Sequence, residues 1–360
     1  MAGVTEDPTL VDNVTLTTVD PLAKLLASRE NDIQLVINYM VYVFEGLLMF
    51  GGNLLLLLPI LYHKGMRIKK EYIFVAGLAL SDCLNGLTYI IAGAYRIFHI
   101  KANQHNEPQS PWECLGVPSN VLWMYNEVTT TAMLLVISLD RLLLVLFPMW
   151  YISQGATYAI IFVGLAYLQN FITGAIGTYL SYDLRYVQDR RRLCKLSMSG
   201  NKQHNSIHVQ MFILYALCSV VVYFLVLFIY KRRAAAISSR ISEAQAKKQR
   251  KMTVSLGIST LFTLLFLVIP IQLDNVIEHI DFLVALIGRS NVLHVHTFLW
   301  VMANANCLFN LFIFLIRHSE VRIGFVAALR CRTLALDTNK WGLQATGAAE
   351  TTRNAASKQV

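Results

Sequence analysis

Charge is scarce in this chain. Only 15% of its 360 residues are Asp, Glu, Lys or Arg, while 55% are hydrophobic. A water-soluble domain carries about a quarter of its residues as charge, so the shortage excludes an ordinary soluble fold. The N-terminus, MAGVTEDPTLVDNVTLTTVD, lacks the basic-then-apolar pattern of a cleavable signal peptide. The first apolar segment is therefore expected to act as the targeting signal. No HExxH pair and no GxSxG elbow appears, which leaves an intramembrane hydrolase without its chemistry. Internal repeats of the apolar segments are lacking too, as are paired Gly/Pro-broken helices, which speaks against a transporter or channel. The net charge of +9 comes without aromatic residues interleaved among the basic ones, so no nucleic-acid partner is expected.

What is present is a series of seven apolar segments, near 35–62, 72–98, 116–147, 157–181, 207–230, 252–277 and 292–316. Each is close to the ~20 residues that cross a bilayer. The expected fold class is all-α, a seven-helix membrane bundle. Its expected parts are an N-terminal segment 1–34, a bundle 35–317, an amphipathic eighth helix 318–332 and a disordered tail 333–360.

Basic residues orient the bundle. HKGMRIKK after the first segment is basic, and the loop after the fifth sets eight basic residues, Lys231 to Lys251, against the single acid Glu243. Arg317, Arg322, Arg330 and Arg332 follow the seventh. With seven spans these regions share one side, the cytoplasm, leaving the N-terminus outside and the C-terminus inside at the plasma membrane. Asn13-Val14-Thr15 is then a glycosylation sequon on the accessible side. The basic stretch DLRYVQDRRRLCK runs against the rule and is outvoted. Its Arg190, Arg191 and Arg192 either attract an acidic ligand or pair with the acids of the N-terminal segment, the second being preferred.

Of the six cysteines, Cys114 and Cys194 are the two placed outside by this topology, so a disulfide between them is the natural reading, against two unrelated free thiols. Cys83, Cys218 and Cys307 fall in apolar segments as packing residues, and Cys331 after the last span is a palmitoylation candidate.

Polar residues within the spans are expensive and need partners. Asp82 is an unpaired acid in mid-span, Asn53 follows Gly52, Thr130 lies eleven residues before Arg141, and Asn306 and Asn310 are four apart on one face. Either these residues converge, with room for a sodium ion among Asp82, Thr130, Asn306 and Asn310, or the asparagines and Thr130 bond locally to backbone. Asp140 and Arg141 stand side by side in SLDRLLLVLFPMWY, a snorkelling helix end or part of a switch.

Taken together, Gly52-Asn53, Leu78-Ala79-Leu80-Ser81-Asp82, Asp140-Arg141-Leu142, Pro148 with Tyr151, Pro270 and Asn310-Leu311-Phe312-Ile313-Phe314 follow a recognisable order and spacing. The set resembles the rhodopsin-like (class A) G-protein-coupled receptors over about residues 35–331. Departures are the missing fourth-span tryptophan and fifth-span proline, Val268 for a tryptophan, Leu311 and Phe314 in the seventh-helix motif, and a Cys114 two residues further from Asp140 than usual. Erosion over an intact frame resembles the chemosensory serpentine receptors of nematodes.

The resemblance implies a receptor rather than an enzyme. It would bind an extracellular ligand, a small-molecule cue or alternatively a neuropeptide, and activate a heterotrimeric G protein, with arrestin and a receptor kinase as further partners. The implied switch comprises Asp140, Arg141, Arg250, Asn310 and Phe314. Arg250 stands where many members carry an acid, so repulsion from Arg141 in place of restraint implies appreciable basal signalling. The implied ligand set is Trp123, Asn126, Glu127, Gln272, Asn275, His296, Trp300 and Asn304, with Asp274 beside it. Amine receptors of this family use an aspartate where Trp123 stands, which disfavours an ordinary amine, although Glu127 one turn deeper offers another anchor for a cation or else a protonated core residue.

Overall fold

Long apolar stretches with few breakers fold as continuous helices, because in a bilayer each backbone group must find its partner within its own segment. In a computed structural model, residues 21–195, 199–238, 257–258, 261–279, 289–317 and 319–329 are described. The membrane helices are Pro21–Tyr62, Lys70–Lys101, Pro118–Leu146, Ala156–Ser181, Lys202–Ser238 and Arg289–Arg317, counted here as first to fifth and seventh. Six described helices are long and apolar enough to cross a membrane, and Thr263–Asp274 adds a shorter apolar stretch. That stretch belongs to the sixth helix, described as Thr263–Val268 and Ile269–His279. The first helix is described from Pro21, and its membrane-crossing stretch is Asp32–Tyr62.

The third helix is the axis of the bundle. Within its most apolar window 72% of residues are buried, against 22% for the fourth, which turns most of its surface outward. The third packs on the second, fourth and fifth, while the first lies along the second. Packing in lipid depends on close backbone approach more than on hydrophobic expulsion. A Cβ placed on Gly46 would stand 2.7 Å from the Gly86 carbonyl oxygen, and one on Gly86 would stand 2.8 Å from that of Gly46. We expect Gly86→Ala to force the first and second helices apart at a cost of about 1–3 kcal/mol, read as an earlier thermal melt. Gly51→Ala, whose Cβ meets nothing within 4 Å, should leave the melt unchanged or slightly later; equal effects of the two changes would contradict this packing.

The extra residues between Cys114 and Asp140 are taken up by a break. Ser110 caps the short helix Pro111–Leu115 through a reciprocal bond with Glu113, whose carboxyl the Ser110 amide and hydroxyl hold below its usual range. Gly116 and Val117 interrupt, and Pro118 restarts the helix at a position where its missing N–H costs nothing. Strands Pro108–Gln109 and Arg190–Arg191 pair antiparallel, joining the two outer loops. Arg192 forms an ion pair with Glu107 of the same end's first loop, while the N-terminal acids expected from sequence as partners lie outside the described residues.

The sixth helix has a π-type turn at Thr263–Val268, just before Pro270. Proline lacks the N–H that would bond the Phe266 carbonyl, which locally loosens the ladder. Phe262, Phe266 and Phe309 fill the space beside it, with ring centroids 4.4 to 5.4 Å apart. The eighth helix, Ser319–Leu329, folds back on the first, where Gly324 admits Pro59.

Candidate ligand pocket and inner-end pair

At the disulfide end, Cys114 of the short helix is bonded to Cys194 of the second outer loop. Asn120 donates to both their carbonyls, at 2.7 and 3.3 Å. Arg96, only 4% exposed, donates from Nε to the Leu193 carbonyl at 3.0 Å and from Nη2 to that of Cys194 at 3.2 Å, and its guanidinium lies over the Tyr39 ring. The loop is thereby held as a roof, and beneath it lies a cavity of about 130 Å³.

Four of the sequence-expected ligand residues line this cavity: Trp123, Glu127, His296 and Trp300. Asp274 lines it too and uses both carboxylate oxygens. Oδ1 meets His296 Nδ1 at 2.5 Å, and Oδ2 accepts from Trp300 Nε1 at 3.1 Å. This clasp ties the disulfide end of the sixth helix to the seventh. Glu127 meets His208 of the fifth helix, Oε2 to Nδ1 at 3.5 Å, with the Trp123 ring 5.2 Å from the imidazole. Asn304 lies deeper, bounding a narrower cavity of about 30 Å³ with Glu127, Asn85, Thr130 and Cys307, and donates to Glu45 of the first helix at 3.2 Å.

Two expected ligand residues lie elsewhere. Asn126 turns between helices, donating to the Ser81 carbonyl at 2.9 Å and to Asn85 Oδ1 at 2.8 Å. Gln272 is exposed, pointing away from the cavity. The side chain of Asn275 is outside the described residues, as are Arg250, Asn13 and Cys331.

The polar residues in mid-membrane form a network between the second and third helices. Ser81 Oγ and Thr130 Oγ1 are 2.7 Å apart, Asn85 donates to Thr130 at 2.9 Å, and Thr130 reaches Asp82 at 3.5 Å. Asn53 bonds its own helix at the Met49 carbonyl, and Asn306 accepts from Thr263 of the sixth helix at 3.1 Å. Asn310 is buried in the seventh. Of the oxygens expected around a sodium ion, Thr130 is thus at Asp82 while the Asn306 amide oxygen is taken by Thr263. Asp82 Oδ2 is buried with no hydrogen-bond partner among the described residues, so Asp82 and Thr130 would be the oxygens to hold a sodium ion.

At the opposite end Arg141 and Asp140 are both buried, Nη2 to Oδ2 at 2.7 Å. Tyr151 of the short helix Pro148–Ser153 donates to the same Asp140 oxygen at 3.1 Å. Burial pushes the Tyr151 phenol above its ordinary value, so it stays a proton donor. Lys70 of the second helix bonds the Tyr151 carbonyl, donates to that of Gln154 at 3.2 Å and lies over the Tyr151 ring, fixing the loop. Tyr223 of the fifth helix packs against Gly257, where a Cβ would meet its hydroxyl at 2.8 Å. Phe314 is buried in the core with Leu311, and Leu311 fills the space that Gly52 leaves open.

This frame, from Gly52 against Leu311 to Phe314, coincides with a family match. The family model "7 transmembrane receptor (rhodopsin family)" matches residues 52–314. The chain belongs to that family. Members of it are receptors that take extracellular ligands and act on G proteins, and the multi-pass helices accord with that. No curated protein matches the chain in a sequence comparison.

Sequence reasoning missed Glu45, Arg96, His208 and Thr263 in the receptor. Glu45 and His208 were visible as polar residues inside apolar runs, the same signal that marked Asp82. Arg96 falls inside the second apolar segment and is as buried as the core.

Proposed function

We propose that the receptor binds a small-molecule chemosensory cue from outside the cell and activates a heterotrimeric G protein from the plasma membrane, with its N-terminus outside. Arrestin and a receptor kinase are further proposed partners at the inner face. One observation carries the reading: a roofed pocket whose polar groups come from the first, second, third, sixth and seventh helices, above a network of polar side chains between the second and third helices. Concave pockets with a few converging polar groups suit small ligands. The roof held by Arg96 leaves little room for a peptide, which favours the small molecule over the neuropeptide.

The mechanism follows from differential contact. A ligand that draws Trp300 or His296 towards itself loosens the Asp274 clasp and frees the outer sixth helix to rotate on its π-type turn. Thr263 then parts from Asn306, and Arg141, released from Asp140, faces the G protein. A screen of small molecules in expressing cells, read by calcium and cAMP, tests the proposal. At least one compound should evoke a response that Arg141→Ala abolishes at matched surface expression. Responses confined to peptides, or responses untouched by Arg141→Ala, would contradict it.

A further inference from the structure

A second and larger cavity, about 360 Å³, opens between the fourth and fifth helices at the disulfide end. Its apolar wall is Ile176, Leu180, Ile207 and Met211, and the first three are 50%, 42% and 49% exposed on a surface that in a bilayer meets lipid. Its inner end is polar. His208 is 1% exposed, and while Nδ1 faces Glu127 at 3.5 Å, Nε2 has no hydrogen-bond partner among the described residues. His204, one turn earlier, contacts the Thr173 carbonyl through Nε2 at 2.9 Å; that bond makes Nε2 the donor and leaves Nδ1 an unused acceptor. Buried polar atoms of this kind are rarely left without partners.

We propose that this crevice is a second binding site, separate from the central pocket, for a long-chain carboxylic acid entering sideways from the bilayer leaflet at the disulfide end. Each part of such an amphiphile meets a counterpart. The acyl chain lies on the isoleucines and leucine of the mouth. The carboxyl reaches the imidazoles, donating its O–H to an acceptor nitrogen as the neutral acid, or passing that proton to the ring and remaining as a carboxylate beside an imidazolium. No carboxylate lines the crevice to repel it. The fifth helix begins there with Lys202 and no acid in its first turn, so its N-terminal field favours an anion and opposes an amine. Because the same His208 ring faces Glu127, an occupied crevice alters one wall of the central pocket.

The test is equilibrium binding of radiolabelled oleic acid to the full chain in nanodiscs, with methyl oleate and oleyl alcohol as competitors. Saturable binding is expected, displaced by cold oleic acid and at least about tenfold less well by the ester and the alcohol. His208→Phe should weaken it by about tenfold or more, as a lost bond to a buried polar group does. Ile176→Trp, a lipid-facing change that spares the core, should block the mouth and weaken it comparably. Absence of saturable binding, wild-type binding in both variants, or equal displacement by the ester would overturn the proposal. No G protein enters the measurement, so its failure is separate from failure of the receptor reading.

Discussion

Asp140→Asn is expected to raise basal G-protein activation towards the ligand-evoked maximum. Asp140 and Arg141 are both buried, with a 2.7 Å contact. Removing one partner of a buried ion pair leaves an uncompensated charge, typically a penalty of about 3–5 kcal/mol. If an inner cleft opens on activation and gives the guanidinium water and a new partner, that penalty falls on the closed state alone. About 3 kcal/mol corresponds to roughly a 150-fold shift in the ratio of the two states. Tyr151→Phe removes only the hydroxyl that supports Asp140. A smaller rise is expected from it, about fivefold, in line with roughly 1 kcal/mol for one hydrogen bond. Second-messenger levels without ligand, at equal surface expression, are the readout, and equal levels in wild type and Asp140→Asn would contradict the restraint. Sequence reasoning expected basal signalling because Arg250, which lies outside the described residues, stands where many members carry an acid and would repel Arg141. Among the described residues, the contacts that restrain Arg141 lie between the third helix and the loop carrying Tyr151.

Arg96→Met should collapse the roof of the pocket. The side chain has two bonds to loop carbonyls, at 3.0 and 3.2 Å, and covers Tyr39. Hydrogen bonds from a charged donor contribute about 1.5–3 kcal/mol each, so loss of both should lower the melt markedly and reduce any ligand potency by about a hundredfold or more. Lysine should not rescue it, because a single ammonium does not reproduce the fork that reaches both carbonyls. A melt and a ligand potency unchanged in Arg96→Met would show that the disulfide and the two-stranded pairing hold the loop without it.

The bundle was legible because span length and hydropathy are set by the bilayer itself. The ranges expected for the first, second, fourth, fifth and seventh segments fall within helices of the structure, the first helix running on well before its apolar stretch, while the expected 116–147 slightly overruns the third helix, Pro118–Leu146. The Cys114–Cys194 bond followed from topology, since only those two cysteines were left on one side. The pocket was half legible. Spacing along the third and seventh helices put Glu127, His296 and Trp300 on the right faces, because periodicity fixes a face on a single helix. It does not say which neighbour that face meets. Asn126 is adjacent to Glu127 in sequence yet turns about 100° around the helix, to Ser81 and Asn85. Gln272 fails for the same reason two residues before Asp274. His208 and Arg96 depend on the rotation of a second helix and the path of a loop, which no local pattern records.

In the proposed mechanism Arg141 is the residue through which the receptor would act on a G protein. Guanine-nucleotide exchange on purified heterotrimers, catalysed by the full chain in nanodiscs without ligand, tests it most directly. Exchange above that of empty nanodiscs, faster with Asp140→Asn and absent with Arg141→Ala, is the predicted result. Exchange by the Arg141→Ala protein equal to wild type, or no exchange by wild type and Asp140→Asn with any Gα class, would contradict it.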